Sequence, residues 1–294
     1  MLIITAHIAK LFQWMKCRSF ERLPVVICVS GLWSIFMLLA GCKNRQQGDG
    51  QPPESVVPVI PYITTAIYPH DTTLFTEGLV FHNGLLYESG GAPPEHPFTR
   101  SVIGVSDLAT GSFTPEIEID RSKYFGEGIV FLNNKLYQLT YKNRKGFVYD
   151  ATTFKKIGEF TYANTEGWGM TTDGNSVIMS DGTEHLTFLD PDTYKPARIL
   201  KVTENGMIRD SLNELEYING FLYANIWYRP EIVKIDIGSG EVVAKLNLTS
   251  IVNAVAARKP GSLEMNGIAY DSTTGRVAVT GKFWPSVYEI DFQK

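Results

Sequence analysis

A chain of 294 residues, 44% hydrophobic and 20% charged, has enough apolar material for a large core, built as one repeat domain or two ordinary ones. The formal net charge of −4 and the lack of any Lys/Arg-rich run exclude a general nucleic-acid binder, which needs a basic face. All three cysteines, Cys17, Cys28 and Cys42, fall in the first 42 residues, so the remaining chain has no disulfide, thiolate nucleophile or thiolate metal site.

Residues 1–42 read as an export signal. Lys16, Arg18 and Arg22 precede the apolar run "PVVICVSGLWSIFMLLA", which is too short and too closely followed by small residues to be a good spanning helix. The run ends in "LAGC", Leu39 to Cys42, which resembles the bacterial lipoprotein cleavage box. That resemblance implies that Cys42 is acylated and anchors an exported protein to a bacterial membrane, on its periplasmic or cell-surface face; a plain signal peptide is the alternative. Residues 43–58, "KNRQQGDGQPPESVVP", are polar and rich in Gly and Pro, and read as a flexible tether. The folded domain is expected over 59–294.

Beyond the tether a short motif recurs at "EGL" (Glu77), "EGI" (Glu127), "WGM" (Trp168), "NELEY" (Asn213) and "NGIAY" (Asn266), spaced by 41 to 53 residues. Each is followed by a second strand-like run across a turn such as "HNG", "NN", "DGN", "NG" or "STTG", the composition of tight hairpins. Two more alternating runs then complete each unit. Four short antiparallel strands per unit of this length predict an all-β fold, a five-bladed β-propeller. The last unit has three strands, and "VIPYITTAIYP" (Val59 to Pro69) is left over at the other end, so that segment is expected to close the ring as the fifth blade's outer strand. A β-sandwich is the alternative architecture. Only "DSLNELEY" and "LTSIVNAVAARK" have a pattern that can hold a helical turn.

In a propeller the first strand of each blade is innermost, so Glu77, Glu127, Trp168, Asn213 and Asn266 are predicted to meet at the mouth of one channel. The glycines beside them are read as packing residues that let strands approach the axis. A Glu in so crowded a ring is costly unless paired or used.

At these positions "FTEGL…LYES", "FGEGI…LYQLTYK", "EGWGMTTDG…IMSDGT", "LNELEYI…LYANIW" and "NGIAYD…VTGKFWP" resemble, in order and spacing, the plant-and-bacterial type of glutaminyl-peptide cyclotransferase, from about Thr73 to the C-terminus. The resemblance implies a monomeric five-bladed propeller, without a cofactor, that converts the N-terminal glutamine of peptides or proteins to pyroglutamate and releases ammonia. It implies that Glu127 is the general acid/base and that Trp168 and Trp227 are pocket indoles, with Phe75 and Phe125 completing the wall. Asn213 then bonds the substrate amide or α-amine, and Lys282 stabilises the oxyanion or fixes Glu127. The substrate's own amine is the nucleophile, so one positioned carboxylate suffices for both proton transfers.

Two departures stand out: Glu77 occupies a position where relatives usually carry Gln, and Tyr141 one where they usually carry Trp. A second carboxylate near Glu127 is expected to raise the pKa of one of the pair. A catalytically degenerate propeller that binds peptides at the cell surface stays open, as does a calcium-dependent lactonase, for which Asp181 is the one weak ligand signal. A structural calcium in the channel is also left open. His70, His82, His96 and His185 have no metal-ligand spacing and are read as solvated or turn residues. "APPEHPF" (Ala92 to Phe98) reads as a loop over the channel mouth.

Overall fold

The computed structural model describes residues 56–294, so the predicted export signal, Cys42 and residues 43–55 of the predicted tether lie outside the described residues. Five four-stranded antiparallel sheets follow one another along the chain, and within each the strands pair with their sequence neighbours, except for the outer strand of the last, which comes from the other end of the chain. Their inner strands are Thr76–His82, Gly126–Leu132, Met170–Thr172, Leu212–Ile218 and Met265–Asp271. The five sheets are the predicted blades. The turn residues match the local chemistry: Asn83 and Gly84, Asn133 and Asn134, and Asn219 and Gly220 all have positive φ, the geometry of two-residue hairpin turns whose twist suits paired strands.

Tyr62–Pro69 closes the ring as expected. It runs antiparallel to Ser286–Phe292, with Tyr62 opposite Phe292 and Pro69 opposite Ser286, and forms the outer strand of the fifth blade. Packing reaches further back than the predicted start: Val57 is buried among Leu200, Val202 and Val242, and Val59 bridges to Lys245 in parallel. Of the two candidate helical stretches, "DSLNELEY" lies mostly in the inner strand of blade 4, because Leu212, Leu215 and Ile218 must all face the seams. The other forms helix α1 (Thr249–Arg258), which buries Ile251 and Val255 against blades 4 and 5. Among the described residues no helix is long and apolar enough to cross a membrane.

The core is divided among the seams. One apolar cluster joins blades 1 and 2 through Ile103, Ile129 and Phe147, and another joins blades 3 and 4 through Ile178, Leu186, Leu215 and Val233. At the closing seam Leu79 and Leu86 meet Ala269, Ala278 and Val287. His70 belongs to this seam, contrary to the expectation of a solvated histidine. It is buried, with Nδ1 2.8 Å from the Trp284 carbonyl and Nε2 2.9 Å from Glu88 Oε2, so it ties the N-terminal strand to blades 5 and 1 at once.

Inner strands have a free edge facing the axis, and buried side chains cap it. Glu214 accepts from the amides of Leu79 (3.3 Å) and Ile268 (2.7 Å), Glu216 from that of Tyr270 (2.8 Å), and Asn225 Oδ1 from that of Gly267 (3.0 Å). This accounts for polar residues at the centre of an otherwise apolar body. Close approach of the strands also requires glycine: a Cβ at Gly128 would lie 2.6 Å from the Met170 nitrogen and the Trp168 oxygen.

Candidate active site

The recurring sequence motif has a common local structure. Register shifts occur between Thr76 and Gly78, Gly126 and Ile129, Leu212 and Leu215, and Met265 and Ile268. A bulge at the start of a strand re-aims the residue it contains, and the residues contained here are Glu77, Glu127, Asn213 and Asn266. Blade 3 differs, since its inner strand begins only at Met170 and Trp168 precedes it.

A cavity of about 330 Å³ opens at this end of the axis, lined by all eight residues expected from the sequence: Phe75, Glu77, Phe125, Glu127, Trp168, Asn213, Trp227 and Lys282. Tyr141 and the loop residues Pro93, Pro94 and Glu95 also line it. Asn266 lies just behind, donating to Glu77 Oε2 at 3.0 Å and to the Thr76 carbonyl at 3.1 Å.

The aromatic wall is tightly set. Phe75 and Phe125 meet edge to face at 6.0 Å and 88°, and Trp168 and Trp227 do so at 5.3 Å and 69°. The Trp168 indole lies against Gly182, whose φ of +80° and missing Cβ leave room for the ring. Its N–H donates to Glu166 at 2.9 Å, and Glu166 pairs with Lys142 at 3.4 Å, whose ammonium sits over the Tyr141 ring at 4.4 Å.

Lys282 is held differently from the expectation that it fixes Glu127. Its ammonium is 3.0 Å from Glu77, 3.1 Å from Glu264 and 4.4 Å above the Phe75 ring, and among the described residues it makes no hydrogen bond or ion pair with Glu127. Glu264 was not legible in the sequence. It precedes Met265 in blade 5 and has no counterpart in the recurring motif, and only its place opposite Lys282 reveals it. Burial lowers the Lys282 pKa, but the carboxylates of Glu77, Glu264 and Glu127 outweigh it and hold the ammonium above its ordinary value.

Glu127 is 4% exposed, and among the described residues no hydrogen bond or ion pair reaches its carboxyl. Burial pushes its pKa well above the carboxylate range, the charge of Glu77 adds to this, and Lys282 opposes it. Burial also pushes Glu77 up, to about 7, against the lowering by Lys282 and the Asn266 amide. Burial is the first cause of the rise for both carboxyls, and at Glu127 the charge of Glu77 adds to it, the direction expected of a second carboxylate. The Asn213 amide likewise lines the cavity with no hydrogen bond to its side chain among the described residues, while its backbone carbonyl is anchored by Ser180 Oγ at 2.7 Å.

The arrangement offers one carboxyl unbonded among the described residues, an ammonium and an amide around a small aromatic-walled space. Such a site can move a proton and stabilise a developing oxyanion without a nucleophile of its own. Among the described residues no group of three or more His, Cys, Asp or Glu is placed to hold a metal ion.

Comparison with known proteins gives a consistent result. The sequence profile of the glutamine cyclotransferase family matches residues 34–292. A glutaminyl-peptide cyclotransferase of Arabidopsis thaliana is 35% identical over 231 residues, covering 78% of this chain and 70% of that protein. The crystal structure of Myxococcus xanthus glutaminyl cyclase superposes with a TM-score of 0.71 at 31% identity, over 80% of this chain and 98% of that one.

Proposed function

The chain belongs to the glutamine cyclotransferase family, and from that premise we propose that it converts the N-terminal glutamine of peptides to pyroglutamate, with Glu127 as the proton shuttle. The observation that carries this assignment is the buried Glu127 carboxyl, unbonded among the described residues and lining the cavity. The ordinary value of an α-amine is near 7.7–8.0, so a share of it is neutral and able to attack near neutral pH, while Lys282 opposes the upward push of burial on Glu127 and favours its carboxylate. The Glu127 carboxylate takes one proton from the neutral α-amine as its nitrogen bonds to the side-chain carboxamide carbon. It then returns that proton to the departing NH₂ group as the original C–N bond breaks and ammonia leaves.

Lys282 and Asn213 stand at the cavity wall as donors for the oxyanion and the substrate amide. Glu77 keeps Lys282 charged and in place. Trp168, Trp227, Phe75 and Phe125 hold the glutamine in a ring-closing conformer and exclude water. The motif "LAGC" and the polar segment after it support a lipid anchor at Cys42 on an exported bacterial protein.

Incubating a synthetic peptide that begins with glutamine and measuring its mass tests the activity: loss of one ammonia per peptide is expected. Binding without mass loss would make the protein a peptide-binding propeller in which Glu77 has spoiled the chemistry. For the anchor, Cys42→Ser is expected to release the protein from membranes, and wild-type retention would rule out acylation at that residue.

A further inference from the structure

This inference rests on the cyclase reading and concerns the part of the substrate beyond the glutamine. A peptide enters N-terminus first, so its second residue lies in the mouth of the cavity, where the lining changes character. Pro94 and Glu95 are exposed lining residues, and so are Trp227 and Tyr228, at 41% and 71%.

The loop that presents Glu95 is fixed. Arg121 Nη1 donates to the carbonyls of Pro97 at 2.7 Å and Thr99 at 2.6 Å, and the His96 ring packs against Phe75, Phe98 and Phe283 at 6.4, 5.7 and 4.9 Å. Tyr228 sits in the left-handed region, with φ of +58°, where a bulky side chain is strained, and its ring lies 4.5 Å from that of Trp227. A mostly exposed ring in a strained turn contributes little to the core, so its placement calls for another reason.

Charge points the same way. Four carboxyls line the cavity, those of Glu77, Glu95, Glu127 and Glu264, against the single ammonium of Lys282. Nearby cations are engaged or set back: Lys142 pairs with Glu166, Lys259 lies 5.9 Å from the Phe283 ring, and the exposed Arg229 does not line the cavity. We propose that the mouth is a subsite for the substrate's second residue that selects a cationic side chain, Lys or Arg, with the Tyr228 and Trp227 rings as its platform and Glu95 as its counter-charge. Ring faces attract cations, and opposite charge at a pocket mouth speeds encounter.

The test compares kcat/KM of the full-length protein for peptides beginning Gln-Lys, Gln-Ala and Gln-Glu. The expected order is Lys, Ala, Glu, with about tenfold between the extremes at low salt and a smaller ratio at about 1 M salt, where screening reaches about 3 Å. Glu95→Gln should bring the Lys-to-Glu ratio to within about threefold, and Tyr228→Ala should lower the rate for Gln-Lys more than for Gln-Glu. Equal rates for the Lys and Glu peptides, or a ratio that survives both substitutions, would overturn the subsite. If no peptide is cyclised, the activity itself fails, and affinities of the same peptides, followed by tryptophan fluorescence, still decide: Gln-Lys binding tightest supports the subsite, and equal affinities reject it.

Discussion

Glu127 and Glu214 are both buried near the axis, and burial pushes the pKa of both well above the carboxylate range. They differ in what surrounds them. Both Glu214 oxygens accept from backbone amides, one in blade 1 and one in blade 5, so the residue is a strap between three blades. Glu127 has no such partner and faces a cavity. A raised pKa thus reports removal from water, and it is the free lone pairs of Glu127 that the proposed proton transfer requires. Glu88 completes the contrast: burial raises its pKa, but His70 and the hydroxyls of Ser106 and Thr76 bring it below its ordinary value.

Substitution should separate these cases. Glu127→Gln is expected to lower kcat about a hundredfold or more, the scale for removing a positioned acid/base, with the circular dichroism spectrum intact. A near-normal rate would move the proton shuttle elsewhere. His70→Ala leaves Glu88 buried without its partner and should lower Tm by about 10 °C, given about 3–5 kcal/mol for a broken buried pair.

That second loss has a pH signature. Glu88 lies below its ordinary 4.5 and His70 above its ordinary 6.5. The Glu88 contribution is present above 4.5 and disappears as pH falls through its folded value. The His70 contribution is present below 6.5 and disappears as pH rises through its own folded value. The Tm difference between variant and wild type should therefore be largest between about 4.5 and 6.5, and a flat difference would mean that the pair is not ionic.

Glu214→Gln keeps one acceptor and turns an amide NH₂ toward a backbone N–H. It should cost about 5 °C in Tm, from about 1–3 kcal/mol for an unsatisfied group, with kcat within about twofold of wild type. A loss of turnover as large as that of Glu127→Gln would erase the distinction between strap and shuttle. Glu77→Gln should be the mildest, changing kcat by about threefold or less. It removes the like charge beside Glu127, so Glu127 ionises more readily and the acidic limb of the pH–rate profile moves to lower pH. Equal and severe losses at Glu77 and Glu127 would instead indicate a dyad that shares one proton.

Much of this could be read from the chain because a propeller repeats local signals. Asn-Gly and Asn-Asn turns marked the hairpins, and the Glu-Gly, Asn-Glu and Asn-Gly steps marked the positions that prove to be bulges, so the register of Glu77, Glu127, Asn213 and Asn266 followed from the repeat. Contacts between repeats left no such trace. His70 is isolated in sequence, and its partner Glu88 lies in another blade. Glu264 sits outside the recurring motif, so nothing local distinguished it from a solvated loop residue. "DSLNELEY" carried helix-forming residues, and only the need to bury Leu212, Leu215 and Ile218 in the blade seams made it a strand.

The ring closes between residues that are far apart in time as well as in sequence. Thr65 bonds Glu289, 224 positions later, so the first strand of the folded body has no sheet partner until nearly the whole chain has been made. Closing a loop that long is entropically slow to begin, although the penalty grows only with the logarithm of length. Until then Tyr62–Pro69 is an unpaired edge beside an unfinished fifth blade. Its exposure to proteases or to a second unfinished copy thus lasts through the synthesis of the other blades, and the emergence of Ser286–Phe292 ends it.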